Sequence, residues 1–338
     1  MVTIEDIARE AGVSSTTVSN VIHGRTGRVS CATVKRINEI IRRRGYVPNL
    51  SARALKGRSS RLVALINHLD GQDRERFWSD PFYNTLTGAV EEALRAQGYF
   101  LMVRAISDRE ELLEFLRNWN VEGVFLPGLF ESDPFYRTLY GLDLPVVLTD
   151  SYLPDYGRMC NVGLQDREGA KMATEYLIAC GHRELAFAGP PLRLGGVLEQ
   201  RLLGFRQALE DHGLPFRPDR VFACEFDTDA MLRLGARLAG MPEVTGVFAT
   251  ADLLAAGLTA GAVQAGRPVP ETLSVVGFDD IAWCRMTRPR LTTVRQDAEQ
   301  KGRLAAELML RLLAGEEVSQ RRITLPVSLV VRDSVRSR

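Results

Sequence analysis

The first 22 residues predict two short helices joined by a tight turn. Apolar side chains recur at helical spacing in both halves, at Ile4, Ile7, Ala8 and Ala11, and then at Val18, Val21 and Ile22. Thr3 and Asp6 form a capping-box start for the first helix. Ser14 can cap the second helix, and Gly12 lies where the chain must turn. The pattern is typical of a helix-turn-helix, whose second helix lies in the major groove of DNA.

The outer face of the second predicted helix consists of short polar side chains: Ser15, Thr16, Thr17, Ser19 and Asn20. Side chains of this kind can reach base edges without filling the groove. An ordinary helical hairpin inside a larger core is the alternative, but it would more often present long charged residues to solvent. This face therefore favours DNA as a partner.

The charge of the chain is unevenly distributed. Residues 1–61 contain twelve Lys and Arg against four Asp and Glu, a net charge of +8, although the whole chain carries only +1. The remaining residues therefore carry −7. A basic head on an acidic body indicates a nucleic-acid-binding module attached to a larger domain.

A third helix is predicted over residues 31–44, capped by Ser30 and covering the hairpin with its apolar face. Its end carries Arg42, Arg43 and Arg44, which either reach DNA phosphate or form an ordinary solvated helix end. These three helices predict a small DNA-binding domain over residues 1–47.

Residues 48–60 predict a hinge and linker. Pro48 ends the preceding helix, and residues 50–56 are long enough for barely two turns. We therefore expect the segment to fold only when it is supported, as by bound DNA together with a second copy of the segment. Leu55 lies among basic residues that include Arg53 and Lys56. A large apolar side chain in that setting suits a wedge between base steps in the minor groove.

Two motifs resemble those of the LacI/GalR family of bacterial transcriptional repressors. They are Thr-Ile-x-Asp-Ile-Ala-x-x-Ala-Gly-Val-Ser-x-x-Thr-Val-Ser from Thr3 and Gly-Tyr-x-Pro-Asn-x-x-Ala-Arg-x-Leu from Gly45. The resemblance continues to the C-terminus and covers nearly the whole chain. It implies that Thr16, Thr17 and Asn20 face the major groove, with Ser15, Thr16 and Asn20 setting the operator sequence, and that Leu55 intercalates at the operator centre.

From residue 61 onward, apolar runs of strand length alternate with segments of helix length. The runs lie at 62–66, 100–103, 123–126, 145–148, 185–188, 246–249 and 273–277. This alternation predicts an α/β core of two doubly wound parallel sheets, with ligands bound beyond the carboxyl ends of the strands.

The family resemblance implies that residues 61–338 form a two-lobed core like that of periplasmic binding proteins. Lobe 1 is expected at about 61–162 and 292–324, and lobe 2 at about 163–291 and 325–338. The chain would then cross between the lobes near Val162, Thr292 and Leu325, and a small effector would bind in the cleft between them.

Polar and aromatic side chains near the strand ends are the candidates for effector binding: Phe82, Asp150, Arg201, Phe226, Asp252 and Asp279. The resemblance implies that the arginine reaches the effector and that Asp279 binds ligand hydroxyls. Arg201 and Asp279 are alternatively a pair that contact each other. Phe226 is alternatively a core residue, and Asp150 has no clear preference for cleft or interior.

The effector class is predicted to be a sugar, because carboxylates, an arginine and aromatic rings suit hydroxyls and apolar sugar faces. A nucleobase or phosphorylated metabolite remains the alternative. Two features of the chain depart from the family pattern. Thr250-Ala251-Asp252 replaces the usual Ala-Asn-Asp. The loop at 67–79 is longer than usual, and Trp78 or an arginine in it could close over the cleft.

Scattered cysteines and histidines give no metal-ligand spacing, and no apolar run is long enough to span a membrane. No signal peptide opens the sequence, so we expect a cytoplasmic protein with reduced thiols. An enzyme is disfavoured, since no nucleotide-binding or nucleophile motif is present. A transport binding protein is disfavoured by the basic head. The sequence thus predicts a repressor without cofactor or metal, which binds a palindromic operator as a homodimer.

The last predicted strand, at 325–331, lies close to the end of the given sequence. Because several tetramers of the family it resembles add a leucine-heptad tail, we expect a dimer.

Overall fold

The computed structural model describes residues 2–22, 24–46, 59–68 and 80–338. The chain divides into two units, Met1–Ser60 and Arg61–Arg338. The expected hinge segment, with Arg53, Leu55 and Lys56, lies outside the described residues, as does the loop at 69–79 with Trp78.

Three helices form the first unit: α1 at Ile4–Ala11, α2 at Ser15–Ile22 and α3 at Cys31–Arg44. The hydroxyl of Thr3 accepts a hydrogen bond from the backbone N–H of Asp6, whose carboxylate accepts one from the backbone of Thr3. Gly12 ends α1 in the left-handed region at φ 64°, where a residue without Cβ avoids strain. The capping signals therefore set the helix bounds as predicted.

The core of this unit is built from the apolar faces of all three helices: Ile7, Ala8, Ala11, Val18, Val21, Ile37 and Ile40. Glu10 on α1 pairs with Arg43 and Arg44 at the end of α3. Two members of the terminal arginine run thus tie α3 to α1 within the unit.

The second unit begins with five strands and three helices. In chain order these are β1 at Leu62–His68, α4 at Pro81–Ala96, β2 at Phe100–Ile106, α5 at Arg109–Asn118, β3 at Gly123–Pro127, α6 at Pro134–Tyr140, β4 at Val146–Thr149 and β5 at Cys160–Leu164.

Five further strands alternate with four helices. They are α7 at Asp166–Ala179, β6 at Leu185–Gly189, α8 at Val197–Asp211, β7 at Val221–Ala223, α9 at Thr228–Ala239, β8 at Gly246–Ala249, α10 at Asp252–Gln264, β9 at Ser274–Asp279 and β10 at Thr292–Arg295. The last elements are α11 at Ala298–Leu313, β11 at Arg322–Leu325 and β12 at Ser328–Val330. Short 3₁₀ turns occur at Pro218–Arg220 and Ala282–Arg285.

Two six-stranded sheets, one in each lobe, confirm the predicted fold class. The first has the order β11-β5-β4-β3-β1-β2 and the second β12-β10-β9-β8-β6-β7. Every described pairing is parallel except that of β12 with β10. Alternate residues of β1 enter separate apolar clusters on the two faces of the first sheet, as expected for a strand covered by helices on both sides.

The three crossovers lie a few residues later than the sequence indicated. Thr292–Arg295 pairs with β9, so β10 belongs to the second sheet and the chain leaves that lobe only after Arg295. Val162 and Leu325 both lie within strands of the first sheet. The crossovers therefore connect β5 to α7, β10 to α11, and β11 to β12.

Glycines allow α9 and α10 to approach closely. A Cβ built at Gly261 would lie 2.1 Å from the backbone oxygen of Leu232, and one at Gly235 would lie 2.1 Å from that of Leu258. Neither backbone can move aside without separating the helices.

Gly261→Ala is expected to lower the free energy of unfolding by about 1–3 kcal/mol, since overpacking outweighs the higher helix propensity of alanine. Urea unfolding monitored by circular dichroism measures the change. Gly88→Ala is the matched control, because Gly88 is an exposed glycine in α4 whose added Cβ would meet nothing within 4 Å. Equal or higher stability of both variants would contradict the close-packing account.

Candidate functional site

The outer surface of α2 presents the polar side chains that the sequence assigned to DNA. Ser15 and Thr16 are exposed, whereas Thr17 and Asn20 are partly exposed. Val18 and Val21 on the opposite face are buried in the core of the unit. Packing of these two residues therefore fixes which side of α2 faces outward.

Thr17 differs from its neighbours because it takes part in the helix cap. Its backbone N–H donates to the Ser14 hydroxyl at 3.2 Å, and the two hydroxyls lie 2.9 Å apart. The hydroxyl of Thr17 is thus engaged within the unit, which leaves Ser15, Thr16 and Asn20 as the more available side chains.

A cavity of about 420 Å³ lies between the lobes of the second unit. Its volume falls within the range of small-molecule sites, about 300–1,000 Å³. The wall comes from residues at or just beyond the carboxyl ends of strands in both sheets, at β1, β3 and β4 in one lobe and at β6, β8 and β9 in the other. The fold of each lobe therefore directs these loops to one place.

Four of the six expected effector residues line this cavity: Phe82, Asp150, Arg201 and Asp279. The described wall carries five carboxylates, from Asp80, Asp133, Asp150, Glu225 and Asp279, and three basic side chains, from His68, Arg193 and Arg201. Its aromatic residues are Phe82, Tyr83 and Phe130.

Arg201 is buried and held by several contacts. Its guanidinium donates to Asp166 from Nε at 2.9 Å, binds the backbone oxygen of Thr250, and lies 3.6 Å from the ring centroid of Phe278. Burial alone would lower the pKa of Arg201, but the charges of Asp166 and Asp279 raise it above its usual value. The arginine is therefore a fixed cation at the cavity wall.

Asp279 ends β9 and Asp150 directly follows β4 in the opposite lobe, and both have positive φ, 125° and 53°. Backbone strain of this kind is common at functional sites. Burial raises the pKa of both carboxyls, although Arg201 opposes the shift at Asp279 and Lys301 opposes it at Asp150. Asp279 accepts a hydrogen bond from Gln296 at 2.5 Å. The ion pair of Arg201 is with Asp166 and not with Asp279, the direct partner considered from the sequence.

The lobes also touch at the rim of the cavity. Gly196, which precedes α8, lies against the ring of Phe130 from the other lobe, since an added Cβ would meet Phe130 Cε1 at 2.1 Å. The guanidinium of Arg193 lies 5.9 Å from the centroid of the same ring. The start of the helix that carries Arg201 is thus in contact with the opposite lobe.

Comparison with known proteins assigns both units. Residues 3–49 match the family of bacterial regulatory proteins, lacI family, and residues 174–335 match a periplasmic binding protein-like domain. The chain is 34% identical to the HTH-type transcriptional regulator CelR of Thermobifida fusca, over 98% of both chains. The chain belongs to the LacI family.

Solved structures show the same architecture as this LacI-family chain. A transcriptional regulator CelR–cellobiose complex superposes with a TM-score of 0.73 at 31% identity, covering 99% of this chain and 100% of that one. The lac repressor dimer bound to operator and the anti-inducer ONPF gives a TM-score of 0.83 at 23% identity, with 99% of each chain covered. The latter likeness shows the fold.

Asp252 has a different position from the one expected of an effector residue. Its carboxylate is buried behind the cavity wall, where it accepts hydrogen bonds from Ile281 N at 3.0 Å, Cys284 Sγ at 2.9 Å and Thr293 Oγ1 at 2.5 Å. Burial raises the pKa of Asp252 to about 7. The expected effector contact is therefore corrected to a structural role in this LacI-family chain.

Phe226 also departs from the expectation. It is 9% exposed and packs in an apolar cluster of the second lobe, while its neighbour Glu225 lines the cavity. The core alternative raised from the sequence is the one observed.

Three residues that the sequence did not indicate support the cavity: Gln296 lines it, and Asp166 and Lys301 are buried behind its wall. Asp166 accepts hydrogen bonds from both Arg201 and the Tyr152 hydroxyl, the latter at 2.6 Å. Gln296 and Lys301 connect Asp279 to Asp150. Lys301 shares one helix face with the apolar residues Ala298, Leu304 and Ala305, so a charged residue on a core-facing stripe was the available signal.

Among the described residues, no helix has the length and apolar character needed to cross a membrane. Nor does that part of the chain contain a group of three or more His, Cys, Asp or Glu side chains placed to hold a metal ion.

Proposed function

We propose that this LacI-family chain is a repressor that binds a palindromic operator as a homodimer, under the control of an uncharged sugar. The observation that carries the proposal is the interlobe cavity, in which Asp150 of one lobe faces Arg201 and Asp279 of the other. A ligand that touches both sets has different contacts in each arrangement of the lobes, and such a difference is required for allosteric control.

The DNA side of the proposal rests on α2. Ser15, Thr16 and Asn20 project from its outer face with Thr17 beside them, and Asn side chains pair bidentately with adenine. Short recognition helices on two copies read two half-sites, hence the proposed two-fold symmetry. Arg53, Leu55 and Lys56 are proposed as hinge contacts on the sequence argument alone.

The charge of the cavity supports an uncharged sugar over a phosphorylated ligand. Carboxylates outnumber basic groups in the described wall, and Arg201 is already paired with Asp166. Sugar hydroxyls donate hydrogen bonds to carboxylates, and the rings of Phe82 and Phe130 suit apolar sugar faces. A phosphate would be repelled by the same carboxylates. The CelR–cellobiose complex makes cellobiose the first ligand to test.

The direct experiment has two steps. Selection from a random duplex pool yields the operator, which we expect to be palindromic, and gel-shift titration then measures its affinity with and without ligand. Thermal shift compares cellobiose and glucose with cellobionate, glucuronate and glucose 6-phosphate. At 100 times its dissociation constant a ligand should raise Tm by about 5 °C. Stabilisation by an acidic ligand alone, or by no sugar, would contradict the proposed effector class.

Asn20→Ala is expected to weaken binding to the selected operator by about 1–3 kcal/mol, and to relax base preference at one symmetric pair of positions. Repeated selection with the variant measures the preference. The control is Asn38→Ala, which removes a partly exposed asparagine from α3 in the same unit. A uniform loss of affinity for all sequences would instead show that Asn20 only supports the scaffold.

A further inference from the structure

Lys301 is a fully buried lysine that lies behind the cavity wall. Its side chain is 0% exposed, and its ammonium contacts Asp150 Oδ1 at 2.6 Å, Asp150 Oδ2 at 2.8 Å and Gln296 Oε1 at 2.8 Å. It also lies 5.2 Å from the ring centroid of Phe82. Three of the residues that it contacts, Asp150, Gln296 and Phe82, line the cavity.

Burying an ammonium in this position is costly unless it is paired, so an apolar residue would be the simpler choice for packing alone. The three donors of Lys301 match three acceptor atoms, two on the carboxylate and one on the amide. The ammonium has no fourth donor for a ligand. Its effect on the cavity must therefore pass through the residues that it holds.

The contact with Gln296 sets the direction of that side chain. An ammonium can only donate, so Gln296 must present Oε1 to Lys301 and its amide nitrogen to the other side. That nitrogen donates to Asp279 Oδ1 at 2.5 Å. Gln296 lies in the crossover between β10 and α11, whereas Asp279 ends β9 in the second lobe. The chain of contacts thus runs from one lobe to the other through a crossover.

The geometry points to Lys301 as a positioning residue for the effector site, which keeps the Asp150 carboxylate ionised and fixes the Gln296 amide toward Asp279. It deepens the proposed function, because it names the group that prepares the carboxylates of both lobes for ligand hydroxyls. The same contacts make the hydrogen bonding of the Asp279 carboxylate depend on the arrangement of the lobes, since a rotation about the crossover changes the Gln296–Asp279 contact.

Asp150 shows why the ammonium matters. Its side chain is 15% exposed, and the charges that face it are Lys301 from α11, Asp166 from the start of α7 and Arg201 from α8. Burial raises the pKa of Asp150, Asp166 raises it further, and Lys301 and Arg201 lower it. Without Lys301, burial and Asp166 still raise the pKa of Asp150, and Arg201 is the cation that remains to lower it. Arg201 is itself paired with Asp166.

The test is the pH dependence of unfolding in Lys301→Met, a substitution of similar length without charge. A carboxyl whose folded-state pKa is raised stabilises the fold below its unfolded-state pKa and loses that contribution as pH rises through the folded-state value. The Tm deficit of the variant relative to the unmodified protein should therefore widen by about 5 °C between pH 5 and pH 8. In Asp150→Asn/Lys301→Met the widening should disappear.

Lys171→Met is the matched control, because Lys171 forms its ion pairs with Asp211 and Glu175 on the surface of α7 and α8. Its Tm deficit should be small and constant with pH. A constant deficit in Lys301→Met as well would overturn the proposal and leave the lysine a packing residue. The unfolding experiment needs no ligand, so it still decides the role of Lys301 if the effector is not a sugar.

The second experiment measures the affinity of each variant for cellobiose, or for whichever neutral sugar stabilises the protein. Lys301→Met should lower the affinity for that sugar at least tenfold at pH 8. Gln296→Glu should lower the affinity similarly, because the glutamate retains the acceptor for Lys301 but lacks the donor to Asp279. Unchanged affinity in both variants would overturn the positioning role while leaving the sugar proposal intact.

Discussion

Replacing Arg201 by methionine is expected to lower the free energy of unfolding by about 3–5 kcal/mol and to abolish the response to effector. The carboxylate of Asp166 is fully buried, and the substitution leaves it without its cation. Breaking one partner of a buried ion pair is costly because the remaining charge is not compensated. Urea unfolding measures the stability, and ligand-dependent gel shift measures the response.

Asp166→Asn/Arg201→Met should recover part of the lost stability, because the uncompensated charge is removed while the acceptor for Tyr152 remains. Arg206→Met is the control on the same helix, since Arg206 pairs with Glu210 on the exposed surface. It should change stability by no more than about 0.5 kcal/mol and keep the effector response. A normal response in the Arg201 variants would remove the arginine from the proposed site.

Asp252→Asn is expected to make the protein more stable at pH 8.5 by up to about 4 kcal/mol, and by the smaller amount of about 1.6 kcal/mol at pH 5. The folded-state pKa of Asp252 is about 7, well above the ordinary value of 3.8. A group with a raised folded-state pKa gives full stability below its unfolded-state pKa and loses it as pH rises through about 7. The gap between these two pKa values sets the size of the effect, at about 1.4 kcal/mol for each pH unit.

Asparagine suits this position because it resembles the protonated acid. Its oxygen can accept from Ile281 N and Cys284 Sγ, and its amide can donate to the Thr293 hydroxyl. Asp229→Asn is the control, in the first turn of α9 and exposed. Unfolding curves at pH 5, 7 and 8.5 decide the outcome. A gain in stability that is the same at all three pH values would show that ionisation of Asp252 is not its source.

The head was predictable from local signals. Thr3 with Asp6, Gly12 and Ser30 each act on residues a few positions away, and both ends of α1 and the start of α3 follow from them. Strand runs such as 123–126 and 246–249 were equally clear, because a strand covered on both faces is apolar at every position. Short strands gave less signal, and β7 has only three residues.

The cavity was predictable only in part. Asp150 and Asp279 follow strong strand signals, and Arg201 lies in a recognisable motif, so their approach to one cavity followed from the rule for strand ends. Asp252 also starts a helix after a strand, yet its carboxylate turns inward to Ile281 and Thr293. No sequence pattern states which side of a loop a carboxylate faces.

For this chain the sequence alone determined the family, the capped helices of the head and the order of strands and helices in the core, because these depend on neighbouring residues and on hydrophobic periodicity. The tertiary structure decided which buried charges meet. Lys301 and Asp150 are far apart in the chain, and their pairing depends on how α11 packs beside β4. The same holds for Arg201 with Asp166, since the cost of burying a charge is offset only by a partner that folding brings to it.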